Sequence, residues 1–289
     1  MPDCFLTPEF NELNSYKTGR VVVLGGSGCR LIGGLTDNFL SSPFSAPYGG
    51  VVCDNPETGN ITAFGNFLTD YLRENNYGCR ITFPAPVLDD ATVEVNGILR
   101  QYLLEKGFKV EWIDYNYHVV MEDQKVDPNV RRRYRKSLAA GYRFMTYPFS
   151  ADNLKRVYDV VAMNHKSLGY KMTMSFQGFL KTSKIVPIWL FGVELAGALI
   201  AGAICYRTRN GVLQVICWGD DLDYRNTYGT MSFLAYSLIN WVRDNVIDIN
   251  VIDLGPASKE GVRSEGLITF KKSLGAIETE KFTISWMTN

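Results

Sequence analysis

Residues 186–205 read VPIWLFGVELAGALIAGAIC, and Glu194 is the sole charge in these 20 positions. A bilayer-spanning helix needs about 20 predominantly apolar residues, so this stretch decides between a membrane protein and a sheet protein. Gly192-Val193-Glu194 interrupts two β-rich runs in the manner of a hairpin turn between buried strands. Neither flank carries the positive-inside asymmetry of a lone anchor. The stretch is therefore expected to be a buried hairpin.

Composition agrees with a folded, soluble chain. Lys plus Arg number 30 and Asp plus Glu number 30, giving zero formal net charge over 289 residues. That balance excludes a dedicated nucleic-acid binder or polybasic membrane protein and makes any anion site local. With 46% apolar, 13% aromatic and 21% charged residues there is ample material for a core and too little charge for disorder. The length suits two domains. Six cysteines (Cys4, Cys29, Cys53, Cys79, Cys205, Cys217) lack a CxxC pair, and several lie in apolar runs like core thiols, so a reducing compartment is expected. The N-terminal MPDCFLTPEF has neither a basic nor an apolar leader region, which implies a cytoplasmic protein. His118 and His165 stand far apart, without the spacing of a zinc site, and no metal is expected.

Outward from the hairpin the chain repeats itself. VVVLGGSGCRLIGGL (21–35) returns as IWLFGVELAGALIAGAI (188–204), Leu31-Ile32 matching Leu199-Ile200 at an offset of 168. Tyr48-Gly49 returns as Trp218-Gly219 at 170, FLTDYLRENNYGCRITFPAP (67–86) as the segment 233–256 at 166, and GILRQYLLEKGF (97–108) as GLITFKKSLGAI (266–277) at 169. Four matches in one order are difficult to obtain by chance and define a duplicated module.

Each copy reads as hairpin, third strand, helix, strand, helix, final strand. In the second copy strands are expected near 186–194, 197–207, 212–218, 249–255 and 278–287, and helices near 230–245 and 264–274. Phe233, Leu234, Leu238, Trp241 and Val242 supply a helical stripe. Helices at 151–167, with Ser150 as N-cap, and 173–182 precede it. Asp127-Pro128 breaks the chain, and VRRRYRKSLAAG (130–141) reads as a connecting helix. The expected organisation is a first module at 1–125, a connecting basic helix and strand at 126–149, and a second module at 150–289. The fold class is α/β (α+β), with a mixed, mostly antiparallel sheet in each module flanked by helices.

This element order, together with SPFSAPYGG (42–50), YRKSLAAG (134–141) and the signature Gly266, Phe270, Lys271 and Gly275, resembles the FemAB-like branch of the acyl-CoA N-acyltransferase (GNAT) superfamily. The resemblance spans residues 20–289. It implies two tandem GNAT modules and a transferase moving an acyl or aminoacyl group to an amine, typically of a cell-wall (peptidoglycan) precursor. It implies no tightly bound cofactor, with acyl-CoA or aminoacyl-tRNA as co-substrate. The acceptor would be a small molecule or cell-wall precursor, and tRNA a partner if it carries the donor. Three features depart from the pattern. The pyrophosphate loop is replaced by Arg225-Asn-Thr-Tyr-Gly229-Thr, Phe83-Pro84 stands where Asp-Pro is usual, and no long coiled-coil insertion is present. A GNAT-fold binding module that has lost catalysis is the competing reading.

A loop entering a helix offers free N–H groups and a positive dipole end, which makes 219–231 the donor's phosphate site with Arg225, Gly229 and Thr230 as contacts. Asp220, Asp221 and Asp223 oppose an anion there. Lys271, which the resemblance places near the carbonyl, would offset oxyanion charge, although lysine is usually solvated. Lys271 and Lys272 lie about 100° apart on a helix, so one alone can face a cleft. Asp253 is the candidate proton acceptor against an ordinary turn role, and Tyr228 the candidate hydrogen-bond partner of the leaving group. Tyr48, Tyr224 and Arg135 are candidate substrate contacts, the last within the run Arg131–Lys136, which otherwise reads as a solvated helix. Gly25-Gly-Ser-Gly28 is expected to be a hairpin turn.

Overall fold

The computed structural model describes residues 2–88, 90–122, 124–224 and 229–287. They form two compact units: one from the chain up to Asn116 with Pro256–Arg263 and the segment from Thr279, the other from Tyr117–Gly255 and Ser264–Glu278.

In the first unit a short α1 (Pro8–Leu13) leads into the hairpin β1 (Arg20–Gly26) and β2 (Cys29–Thr36), turned at Ser27 and Gly28, both left-handed at φ 52° and 72°. The GGSG run is thus a hairpin turn. β3 (Phe39–Ser42) pairs antiparallel with β2 and parallel with β5 (Gly78–Thr82). β4 (Val51–Cys53) returns to β2, and Cys29 and Cys53, cross-strand partners in that pairing, are joined as a disulfide. The expectation of separate thiols is corrected here: pairing puts opposite each other two residues that lie 24 apart in sequence, which linear spacing does not reveal. α2 (Thr58–Glu74) and α3 (Ala91–Glu105) bury Phe64, Leu68, Leu72, Leu99 and Leu103 against these strands. β6 (Lys109–Val120) begins in this unit. The last strand, β14 (Ile277–Trp286), lies beside β5, with Thr283 opposite Thr82. A small hairpin, β12 (Ser258–Lys259) and β13 (Val262–Arg263), is held by Asp114, whose Oδ1 accepts from Ser258 Oγ at 2.6 Å.

The second unit repeats the plan. α4 (Pro128–Ala139) and β7 (Arg143–Tyr147) lead to α5 (Ala151–Ser167), whose N-cap Ser150 accepts from the Asn153 N–H, and to α6 (Phe176–Thr182). β8 (Ile188–Leu195) and β9 (Ala198–Arg209) form an antiparallel hairpin, so 186–205 is not a helix. Its turn is Ala196-Gly197, left-handed at φ 51° and 84°, and not 192–194. Gly192 lies within β8, where a Cβ would meet Leu199 Cδ1 at 2.5 Å, so it serves close packing and not reversal. β10 (Gly211–Asp220) is antiparallel to β9 and parallel to β11 (Ile249–Pro256), the senses seen among β1, β2, β3 and β5. α7 (Thr230–Asn245) buries Phe233, Leu234, Leu238 and Val242 on one face of these strands, each worth about 1.5–3 kcal/mol. α5 covers the other face, closely enough that a Cβ at Gly202 would stand 2.8 Å from Val157 Cγ1. α8 (Glu265–Ser273) follows β13. β11's other neighbour is β6, with the Met121 N–H donating to Asn250 O at 2.9 Å. No helix among the described residues is long and apolar enough to cross a membrane.

Candidate functional site

β10 and β11 pair from Gly211↔Ile249 to Gln214↔Asp253. Beyond that point β10 follows β9 as far as Asp220↔Ala201, while β11 runs on to Pro256. The two parallel strands therefore part at Gln214 and Asp253, leaving a fork within the second unit.

The chain after β10 returns as α7, entered through Gly229 in the left-handed region at φ 78° and ψ 57°. A residue with a Cβ is strained there. The helix's N-cap residue is a glycine and so has no side chain to cap this end. The first-turn N–H groups have no acceptor within the helix, and the dipole makes the end positive. α4 packs along α7 with Tyr134 stacked on Phe233 at 5.0 Å and edge-on to Tyr236 at 5.0 Å. This contact brings the preceding residue, Arg133, over Gly229, where a Cβ would stand 3.4 Å from its Cδ.

Arg133, Gly229, Met231 and Ser232 form one wall of a pocket of about 600 Å³. Trp218, Gly219 and Asp220 at the end of β10 form its floor, and Gly266, Leu267 and Phe270 of α8 a second wall. Trp218 and Phe270 meet edge to face at 5.6 Å. The end of α5 closes the third side with Asn164 and His165. Asn164 Nδ2 donates to Asp220 O at 2.7 Å and to its Oδ1 at 2.9 Å, so the fully buried Asp220 faces a donor from α5. Gly219 permits that approach, because a Cβ would lie 2.7 Å from Asn164 Cβ. The pocket combines an apolar, aromatic half with a helix N-terminus beside a guanidinium. That pairing suits a ligand with a phosphate at one end and an apolar arm at the other.

The expected site residues fall as follows. Gly229 lines the pocket, while Thr230 is buried beneath it and donates from Oγ1 to Tyr224 O at 2.9 Å. Tyr224 is partly buried in a short 3-10 turn (Leu222–Tyr224) against the core. Arg225 and Tyr228 lie outside the described residues. Arg135 is exposed on α4. Asp253 stands at the fork, 5% exposed, its Oδ1 accepting from the Gly255 N–H at 2.8 Å. Lys271 is 3% exposed and donates to Gly255 O at 2.8 Å, with the Tyr117 ring 5.9 Å away. Tyr117 donates to the Glu278 carboxylate, which lies 3.6 Å from the exposed Lys272. Tyr48 is buried in the first unit, its hydroxyl donating to Asp3 Oδ2 at 2.7 Å.

Sequence reasoning passes over Asn164 and Trp218 as site residues and, within the basic run, singles out Arg135 instead of Arg133. Arg133 carries a legible signal. Val130 and Ser137 are buried on α4, and a 3.6-residue period from Val130 reaches 133 and 134, not 135.

No family model and no curated protein matches the chain. Solved structures do. FemX matches with a TM-score of 0.68 at 12% identity, over 99% of this chain and 92% of FemX. L-PGS from Bacillus licheniformis matches at 0.65 and 12%, over 97% of this chain and 87% of that one. A tandem GNAT protein from the clavulanic acid biosynthesis pathway matches at 0.51 and 12%, over 94% and 80%. The chain shares its fold with these proteins, the last of which is a tandem GNAT protein, and at such identity the likeness speaks for the fold alone.

Proposed function

We propose that the chain is an N-acyltransferase or aminoacyltransferase of the FemAB-like type. In this reading the second unit holds a phosphate-bearing acyl or aminoacyl donor, and the carbonyl reaches the fork between β10 and β11. The observation that carries the reading is the N-terminus of α7, entered through Gly229 under Arg133 and opening on the same pocket as Trp218 and Phe270. The N–H groups of residues 230–232 and the Arg133 guanidinium would take the phosphate, and the aromatic half the apolar arm. The amine attacks the carbonyl carbon, the C–N bond forms and the C–O or C–S bond of the ester or thioester breaks. The leaving oxygen or sulfur takes up one proton. Asp253 is the assigned acceptor of the amine proton, and the buried Lys271 charge offsets the oxyanion. Acyl-CoA and aminoacyl-tRNA both meet the donor requirement, and the cytoplasm, where both are made, is the implied compartment. A cell-wall precursor amine is the acceptor class that the FemAB-like resemblance implies.

Thermal unfolding in the presence of acetyl-CoA, a longer acyl-CoA and an aminoacyl-tRNA tests this directly. A ligand at 100 times its dissociation constant stabilises by roughly 2.7 kcal/mol, a visible shift. One donor class is expected to raise the transition and to lose its effect in Arg133→Ala. No shift with any of the three, or a shift indifferent to Arg133, contradicts the proposed site.

A further inference from the structure

α2 and α3 both end beside the last residues of β14, and a pocket of about 440 Å³ opens there, within the first unit. Arg73 of α2, Asn76, Gly107, Lys109 at the start of β6 and Trp286 line it. Two cations and no carboxylate side chain border this space, in a chain of zero formal net charge. Helix C-termini repel anions through their free carbonyls. Here the chain itself takes them up. The Asn76 and Tyr77 N–H groups donate to Arg73 O and Leu72 O at 3.1 and 2.9 Å, and those of Gly107 and Phe108 to Leu104 O and Leu103 O at 3.1 and 3.0 Å. The two lining cations therefore set the sign of the pocket.

The Arg73 guanidinium is held over the Trp286 ring at 5.3 Å, and that ring packs on Phe108 at 5.5 Å. Asp70 lies 3.7 Å from Arg73, with both side chains more than half exposed, a pairing that water and salt weaken. Lys109 is exposed, and its ammonium has neither an ion pair nor a hydrogen bond among the described residues. Trp286 Nε1, which can only donate, is buried without an acceptor. Gly107, at φ 104°, brings the backbone against the indole edge, where a Cβ would stand 3.3 Å from Cζ3. A fixed guanidinium beside an unpaired ammonium is the complement of an oxyanion, and the guanidinium fork matches carboxylate and phosphate alike. The indole edge and Met287 add apolar surface for the body that carries the charge. The volume falls within the roughly 300–1,000 Å³ of small-molecule sites.

We infer that this pocket binds a small organic oxyanion, a carboxylate or a phosphate ester, clasped between Arg73 and Lys109. The site belongs to the first unit and does not rest on the acyl-transfer reading.

The chain has five tryptophans, so a ¹⁵N-labelled protein gives five indole N–H signals, and Trp286→Phe identifies the one from Trp286. Trp218→Phe identifies the reporter of the second unit's pocket in the same spectrum. The probes are phenyl phosphate and benzoate at fixed ionic strength, with benzyl alcohol as the uncharged control. The expected result is a saturable shift of Trp286 with at least one anion and none with the alcohol, the tighter anion naming the oxyanion. Lys109→Gln removes an exposed, unpaired charge, so it should keep the melting temperature and bind that anion roughly tenfold or more weakly. A Trp286 silent to both anions, an equal response to benzyl alcohol, or a Lys109→Gln protein that binds as wild type overturns the site. A shift of Trp218 with Trp286 silent puts the anion in the second unit's pocket, which sinks this site and leaves the transferase reading standing. A saturable shift of Trp286 with Trp218 silent supports this site whatever becomes of that reading.

Discussion

Arg133 and Arg135 belong to one basic run, yet helix geometry gives them different fates. Both are exposed, but Arg133 lies over Gly229 and lines the pocket, whereas Arg135 does neither. Arg133→Ala should weaken donor binding by about 1.5–3 kcal/mol, the worth of a charge-assisted hydrogen bond, and Arg135→Ala by less than about 0.5 kcal/mol, as calorimetric titration would read. The lysine pair divides in the same way. Lys271→Ala leaves Gly255 O without its donor, so a loss of about 1–3 kcal/mol in urea unfolding is expected, against almost none for Lys272→Ala. His118 adds a pH signature. Burial lowers its folded pKa below the unfolded value, so its neutral form contributes stability above about pH 6.5 that is lost as the pH falls towards the folded pKa. The acid-side loss should shrink in His118→Gln, and an unchanged profile would remove the assignment. These distinctions were half legible in the sequence. Helical phase separates Arg133 from Arg135 once one buried position is known, but nothing linear shows that Lys271 ends on a backbone carbonyl or that the Asp253 charge acts on His118.

Among elements, the strands and helices of the second unit follow from apolar periodicity and cap residues. Ser150 starts α5, and the helical stripe from Phe233 to Val242 sets α7. The β8–β9 turn lies away from its expected place because Gly192-Val193-Glu194 combines glycine with charge, two ordinary turn signals. Left-handed backbone at Ala196 and Gly197 makes the reversal there, and Gly192 is glycine for lack of room. The disulfide was invisible because its partners are joined by strand register. Closing a loop of 24 residues should be worth about 3 kcal/mol, so Cys53→Ser should lower stability by that order. Alkylation of the unreduced, denatured protein should label the four buried free thiols, Cys4, Cys79, Cys205 and Cys217. Labelling of six would contradict the bond.

Over the whole chain, the duplication was readable from ordered offsets of 166–170 residues, and the same strand senses recur in both units. What offsets cannot reveal is which strand completes which unit. The segment from Thr279 on, at the end of the second copy, lies beside β5 of the first, and the end of β6 lies in the unit of the second copy. A linear cut between copies therefore leaves each unit short of a strand segment, since pairing across the chain is not encoded in local periodicity. The open fork and the glycine-capped start of α7 belong to the second unit. In the first, the Gly49 N–H donates to Thr82 O just past the last β3–β5 pair, bridging the corresponding position with the chain itself. The most direct measurement is product formation: the protein incubated with acetyl-CoA or aminoacyl-tRNA and a panel of amines, with mass spectrometry for the new amide. The expected result is an amide from one donor class, formed about 10²- to 10³-fold more slowly by Lys271→Ala and at the wild-type rate by Lys272→Ala. Saturable donor binding with no amide from any amine would contradict catalysis and make the chain a binding module.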